Sequence, residues 1–356
     1  MQFNDKEFSI YNGNKIRLEI FGASHSSEIG VKVNGFDGYS ADFDKLSEFM
    51  ERRRAKNSSY STKRIETDQV IVQNGYENGV FKGEFKAVIK NNNQHSKDYS
   101  NLIKTPRPAH ADYVAIKKYG DGYDYRGGGK FSGRLTAPMC IAGGIAKQIL
   151  EEKGIKITAY ISQIGTIKGK SYKDGIVDFS CIEDIYFPTL DKKEQMLDLI
   201  ESARLNGDSV GGIIECVIEN VPVGTGEYMF DSLESVISHL AFAVPAVKGI
   251  EFGLGFNISE LNGSTANDAF YFDNGIVKTK TNNNGGINGG IANGMPITFR
   301  VAIKPTPSIS LEQDTVDLEK QENVKLKIVG RHDACIVPRA VPVIEAITAL
   351  AIFDSI

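Results

Sequence analysis

Strand-like and helix-like runs come in groups along this chain rather than in one-for-one alternation, and that grouping limits the fold more than any other feature. Strand-like runs cover 17–21, 31–34, 69–73, 84–90, 156–163, 212–221, 250–256, 297–304 and 324–329, and several of them alternate apolar with polar residues, as half-buried antiparallel strands do. Five stretches have helical spacing instead. Phe43, Leu46, Phe49 and Met50 share one helix face, and that helix ends near 52–54. Ile141, Ile145 and Ile149 mark a second, with Pro138 in its first turn, where a missing N–H costs nothing. Met196, Leu197, Ile200 and Ala203 mark a third; Leu233, Val236, Ile237 and Leu240 a fourth; Val343, Ile344, Ile347 and Leu350 the last. Strict alternation would demand a parallel sheet. Grouped strands with helices between the groups point to the α+β class.

Composition narrows the function classes. The 356 residues are 41% apolar and 24% charged, a globular balance with enough chain to bury a core. A net charge of −4 argues against a global nucleic-acid footprint. The cationic stretch 52–64 has only Tyr60 as an aromatic stacker, so it makes a weak nucleic-acid site. Cys140, Cys181, Cys216 and Cys335 are widely spaced with no C-x-x-C pair, which favours neither zinc nor a disulfide framework. No charged-then-apolar leader is visible at the N-terminus, and no apolar run nears the roughly 20 residues of a spanning helix. These features predict a protein of the reducing cytoplasm.

Chemistry-bearing residues are sparse. Of five histidines, His95 lies in a polar turn and His239 on an apolar helical pattern, and both read as ordinary surface or core residues. His25 follows a strand inside Phe-Gly-Ala-Ser-His-Ser-Ser, where small neighbours leave the imidazole accessible. His110 sits in Arg-Pro-Ala-His-Ala-Asp-Tyr, where Pro108 stiffens the turn and Asp112 can orient a ring. His332 stands between Arg331 and Asp333. Cations recur in separate loops: Arg52, Arg53, Arg54, Lys56, Lys63 and Arg64, then Lys130 and Arg134 around Ser132, then Lys304 in Lys-Pro-Thr-Pro-Ser. A solvated helix end explains the first group alone. The second precedes a helix, where free N–H groups attract anions. Together the groups point to a polyanionic small molecule.

Three separated segments resemble the chorismate synthase family. They are 21–30 (Phe-Gly-Ala-Ser-His-Ser-Ser-Glu-Ile-Gly), 107–113 running into 124–136 (Asp-Tyr-Arg-Gly-Gly-Gly-Lys-Phe-Ser-Gly-Arg-Leu-Thr), and 330–342 (Gly-Arg-His-Asp-Ala-Cys-Ile-Val-Pro-Arg-Ala-Val-Pro). Pieces similar to the family at 52–54, 207–212, 244–253, 282–294 and 304–308 keep the same order over nearly the whole chain. The resemblance implies one α+β domain over 1–356, with helices sandwiched between antiparallel β-sheets, assembled as a homotetramer. It implies 1,4-elimination of phosphate from 5-enolpyruvylshikimate 3-phosphate to give chorismate, with reduced FMN and no net redox change. Some family members reduce FMN with NADPH, while others depend on a separate flavin reductase.

Carried over by position, the resemblance makes His25 the acid near the leaving phosphate, His110 the support of the anionic flavin edge, and Asp333 the proton acceptor near flavin N5. It gives substrate contacts to Arg53, Arg54 and Arg134, with Arg64 and Arg339 as further candidates. Flavin contacts fall on Lys130, Phe131, Ser132, Pro245, Ala246, Gly289, Lys304, Pro305, Thr306, Pro307, Ser308 and Arg331. The chain departs from the family pattern at Ala23, Ser26 and Ser59, and at Phe131 and Leu135, where a hydroxyl and a carboxylate are usual. Those departures keep a second reading open: a paralogue that binds FMN or a phosphorylated carboxylic acid without turnover.

Overall fold

The alternating runs pair into two five-stranded antiparallel sheets with helices packed between them. The computed structural model describes residues 8–54, 67–91, 104–120, 123–124, 126–172, 175, 177–328 and 333–356. The chain begins with β1 (Phe8–Asn12), β2 (Arg17–Gly22) and β3 (Glu28–Asn34), then α1 (Phe43–Arg53), β4 (Ile71–Glu77) and β5 (Val80–Lys90). These strands form the first sheet in the order β1-β2-β3-β5-β4. Next come α2 (Asp112–Tyr119) and α3 (Thr136–Glu152). The second sheet starts with β6 (Lys156–Ile164) and β7 (Ile167–Lys168), followed by α4 (Lys193–Leu205), β8 (Gly212–Glu219), α5 (Leu233–Ala243) and β9 (Val247–Phe252). The short α6 (Gly263–Ala266) leads to two hairpins, β10 (Phe270–Asp273) with β11 (Ile276–Thr279) and β12 (Ile287–Asn288) with β13 (Ile291–Ala292). Then β14 (Ile297–Ile303) enters the second sheet, whose order is β7-β6-β8-β14-β9. A last hairpin, β15 (Gln313–Asp317) with β16 (Glu322–Leu326), precedes α7 (Val337–Ser355).

The period-two pattern sets which sheet face turns inward. Ile29, Val31 and Val33 of β3 are fully buried, and Val31 lies opposite both Ile20 and Ala87. Against this face packs α3, while α7 packs against β6 and β8 of the second sheet. The two helices cross closely because Gly143 has no side chain: a Cβ there would sit 2.5 Å from Ala346 Cα. Its neighbour Gly144 does the same for Leu46 and Phe49 of α1. With sheets and helices on all sides, α7 is buried nearly all round, mostly by apolar side chains, with Glu345 and Asp354 as its buried carboxylates. Each of its buried Ile and Leu side chains contributes roughly 1.5–3 kcal/mol. Among the described residues no helix is long and apolar enough to cross a membrane.

One polar latch joins the two ends of this arrangement. The carboxylate of Asp354, near the end of α7, accepts from Tyr11 OH (2.8 Å) and from the backbone N–H of Asn14 (3.1 Å), Lys15 (2.7 Å) and Ile16 (3.0 Å). Burial and this carboxylate push the Tyr11 phenol well above its ordinary range. A side chain on Gly13 would overlap the carboxylate, so the β1–β2 turn needs glycine there.

All five expected helices are present, and the nine expected strands lie within a few residues of their places. The structure adds α2, β1, β7 and the small hairpins. Within α2 only Asp112 and Ala115 are buried, so there was no apolar face to read.

Candidate active site

Three consecutive glycines organise the site. Gly127, Gly128 and Gly129 all have positive φ (58°, 88° and 52°), a run that only glycine adopts readily. The turn they make lies against two of the histidines. A Cβ on Gly127 would stand 2.6 Å from His25 Cε1, and one on Gly128 would stand 3.4 Å from His110 Nε2. Both imidazoles therefore flank one turn, although their residues lie far apart in sequence. The loop that carries His25 is tied to the turn by Ser24 N–H donating to Gly129 C=O at 3.1 Å.

His110 is held from behind. Its Nδ1 lies 2.6 Å from Asp112 Oδ1 and 3.1 Å from Arg107 Nη2; because an ionised carboxylate only accepts, the shorter contact assigns the proton to Nδ1 and leaves Nε2 at the other edge of the ring. Arg107 grips the same carboxylate through Nε (2.7 Å), Nη2 (2.8 Å) and its backbone N–H (3.1 Å), and donates from Nη1 to Ser308 Oγ at 3.2 Å. Burial opposes ionisation of Asp112, but Arg107 and His110 outweigh it and hold the carboxyl far below its usual range. Lys304 Nζ donates to Ala109 C=O at 2.6 Å, which fastens the segment after β14 to the histidine loop. Burial, aided by Lys248, lowers the Lys304 ammonium.

Arginines form a further stretch of wall. Arg53 closes the buried stripe of α1 after Leu46 and Met50. It donates from Nε to Thr136 Oγ1 (2.9 Å), from Nη1 to Asp68 Oδ2 (2.8 Å) and from Nη2 to Gly133 C=O (3.1 Å). The other oxygen of Asp68 takes Nη1 of Arg134, whose Nε donates to Asn91 Oδ1 at 3.1 Å. Arg339, in the first turn of α7, bonds Asp333 (3.0 and 3.3 Å) and the Arg53 carbonyl (3.1 Å).

These groups line one cavity of about 720 Å³, within the range of small-molecule sites. Its described lining holds eight cationic side chains against two carboxylates, Asp68 and Asp333. Apolar lining comes from Phe131, Phe242, Pro245 and Ala246, and Phe131 is backed by the rings of Tyr119 and Tyr123. Burial pushes the Tyr123 phenol up to about 12. The strand bulge between Ala302 and Ile303 brings Lys304 N–H to Ala246 C=O (2.9 Å), and Ala246 itself has φ 76°. Bulges of this kind re-aim side chains at sites. Thr306 Oγ1 is buried in this lining with no hydrogen-bond partner among the described residues.

Of the residues singled out in the sequence, His110, Asp333, Arg53, Arg54, Arg134, Arg339, Lys130, Phe131, Ser132, Pro245, Ala246, Lys304, Thr306, Pro307 and Ser308 line the cavity. His25 is buried one layer back, behind Gly127. Pro305 and Gly289 are not part of the lining; Gly289 is exposed in the β12–β13 turn. Arg64, Arg331, His332 and His95 lie outside the described residues. Sequence reasoning missed Asp68, Phe242 and Lys248. Asp68 has no local pattern around it. Its only sequence clue is a short polar stretch between a cationic run and a strand.

The sequence profile of the chorismate synthase family matches residues 16–356. The chorismate synthase of Thermococcus kodakarensis is 45% identical over 344 residues, covering 96% of each chain. That of Phocaeicola vulgatus is 42% identical over 349 residues, again covering 96% of each. A crystal structure of chorismate synthase superposes with a TM-score of 0.71 at 25% identity, covering 97% of this chain and 92% of the other.

Proposed function

The chain belongs to the chorismate synthase family, and from that premise we propose that its cationic cavity eliminates phosphate and a proton from 5-enolpyruvylshikimate 3-phosphate to give chorismate. As a member of that family it is a lyase of the shikimate pathway, which serves aromatic amino acid biosynthesis. The observation that carries the reading is the charge of the cavity: eight cations to two carboxylates suit a substrate with a phosphate and two carboxylates.

The residues present fit a flavin mononucleotide. Thr306 offers a buried hydroxyl with no partner among the described residues, beside Lys304, as a phosphate group requires, and Phe131, Pro245 and Ala246 offer apolar surface for a flat ring. Reduced FMN, when bound, supplies electron density to the breaking C–O bond and recovers it as the C6 hydrogen leaves. The chain's own groups do the rest. Asp112 fixes His110 so that Nε2 faces outward as a donor or acceptor of a hydrogen bond. His25, which the family resemblance makes the acid toward the leaving phosphate, lies one layer behind the lining, so in that role the glycine turn has to shift to bring it to the substrate. Asp333, held by Arg339, accepts the proton. Arg54, Arg134 and Arg339 hold the anionic substrate, while Arg53 spends its donors on the protein and keeps that wall in place. Leu135, where the family usually has a carboxylate, packs on the core outside the cavity lining, which supports turnover rather than binding alone.

We also assign the whole chain, 1–356, to one domain of a cytoplasmic homotetramer. Support comes from the exposed apolar face of the β10–β11 hairpin, where Phe270, Phe272 and Val277 lie together, and from Phe256, which is 84% exposed. Surfaces of this kind are normally covered by another subunit. Sedimentation of the purified protein tests it, and a monomer would refute it.

The deciding assay is anaerobic chorismate formation with photoreduced FMN. Phosphate release in step with chorismate is expected. Repeating it with oxidised FMN and NADPH, with and without a separate flavin reductase, decides how the flavin is reduced. Flavin binding with no turnover would instead establish the binding paralogue.

A further inference from the structure

We infer that Asp68 is a positioning residue for the reaction, a shared counter-ion that sets where Arg134 presents its charge to the cavity; this rests on the reading of the cavity given above. The carboxylate uses its two oxygens on two different arginines, Oδ2 on Arg53 and Oδ1 on Arg134. All three side chains are nearly dry, at 5%, 1% and 7% exposure for Arg53, Asp68 and Arg134. All three also belong to the cavity lining. Two guanidiniums would repel at this separation, and one carboxylate between them turns that repulsion into a fixed geometry. Arg53 is anchored on its far side by Thr136 and the Gly133 carbonyl, so it serves as the fixed end of the bridge. Arg134 is the end that faces the ligand, steadied from the side by Asn91.

The backbone at Asp68 supports the assignment. Its φ is +47°, a left-handed conformation that most side chains avoid. Aspartate tolerates that conformation better than most residues, and the conformation fixes the direction in which the carboxylate leaves the chain. A bridge that merely filled space would not need an ionised side chain split between two guanidiniums in the wall of a cavity.

Asp68→Asn keeps the shape and removes the charge. It should lower kcat at least tenfold and change KM less than threefold, because the arginines still attract the substrate but no longer hold it in register. Inorganic phosphate, which makes no demand on register, should bind the folded variant at least threefold tighter by titration calorimetry, since one negative charge has left the wall. A merely structural role would instead weaken phosphate binding and turnover together. Asp68→Gly tolerates the left-handed backbone and leaves room for a small carboxylate. Sodium formate, but not sodium chloride, should restore its turnover at least fivefold. An unchanged kcat in Asp68→Asn, parallel loss of phosphate binding, or no rescue by formate would each overturn the assignment. So would failure of both variants to fold even in formate. If the unaltered chain formed no chorismate, the reading of the cavity would fall, and the phosphate titration would still decide on Asp68.

Discussion

Arg52 and Arg53 are neighbours on α1, yet they belong to opposite kinds of region. Arg52 turns into the helix layer and meets Glu345 of α7 fork to fork, at 2.8 and 2.9 Å. Glu345 also accepts from Ala159 N–H at 3.3 Å, which joins α1, α7 and β6. Burial opposes ionisation of Glu345, but Arg52 outweighs it and the carboxyl stays below its usual range. The charges there balance one for one, although Arg52 Nε is buried with no hydrogen-bond partner among the described residues. Arg53 turns the other way and shares Asp68 with Arg134, two cations to one anion. Burial again opposes ionisation, and the two guanidiniums again keep the carboxyl low. The difference separates structure from function. A charge-balanced pair needs no further ion, whereas a cluster with surplus charge is completed by a ligand.

That contrast can be broken or sharpened by experiment. The largest effect on folding is expected at the charge-balanced pair. Glu345→Ala leaves Arg52 buried and unmatched and should cost about 3–5 kcal/mol in urea unfolding. Its turnover well below the melting temperature should stay within about twofold, and a selective loss of kcat would erase the distinction. The cavity side should answer in reverse. His110→Ala should lower turnover on the order of a hundredfold, the usual worth of a positioned acid or base. Its unfolding free energy should move by less than about 1 kcal/mol, because His110 lines a cavity rather than the core.

Acid should separate the regions less sharply. Asp112 titrates below its ordinary value of 3.8 in the folded chain. Its stabilising contribution is therefore complete above that pH and is lost as pH falls below it toward the folded value. Asp112→Asn removes this dependence, so between pH 5 and pH 3 it should lose about 1–2 kcal/mol less stability than the parent. Equal losses in parent and variant would mean that the Arg107–Asp112–His110 cluster does not bind protons differently on folding. The smallest effect is expected at the cavity rim. Phe131→Ser should weaken FMN binding, followed by flavin fluorescence, by about 0.5–1.5 kcal/mol, the worth of an aromatic contact beyond its area. No change would place the ring away from the flavin.

How far the sequence revealed this arrangement depended on whether the signal was local. The helix faces were legible because 3.6-residue spacing repeats within each helix: Leu233, Val236, Ile237 and Leu240 of α5 are all buried as read. The segments around His110 and the three glycines were legible because their chemistry sits in short motifs. The identity of the inward arginine was partly legible, since Arg53 continues the Leu46–Met50 stripe of α1. The opposition of Arg52 and Arg53 was not, because Glu345 lies 293 residues from its partner. Asp68 was invisible for the same reason. Its meaning comes from Arg134, which reaches it across 66 residues. The exposed β10–β11 hairpin escaped because its aromatics face outward and have no period against a core.

The Asp354 latch has a consequence for how the chain is made. The carboxylate that closes the β1–β2 turn emerges from the ribosome some 340 residues after the turn does. The first hairpin therefore stays unlatched while those residues are translated, and the contact that secures it is among the longest in range of the fold. Contacts of such long range close slowly. The nascent chain must keep its opening strands from pairing with those of its neighbours on a polysome until the last helix arrives.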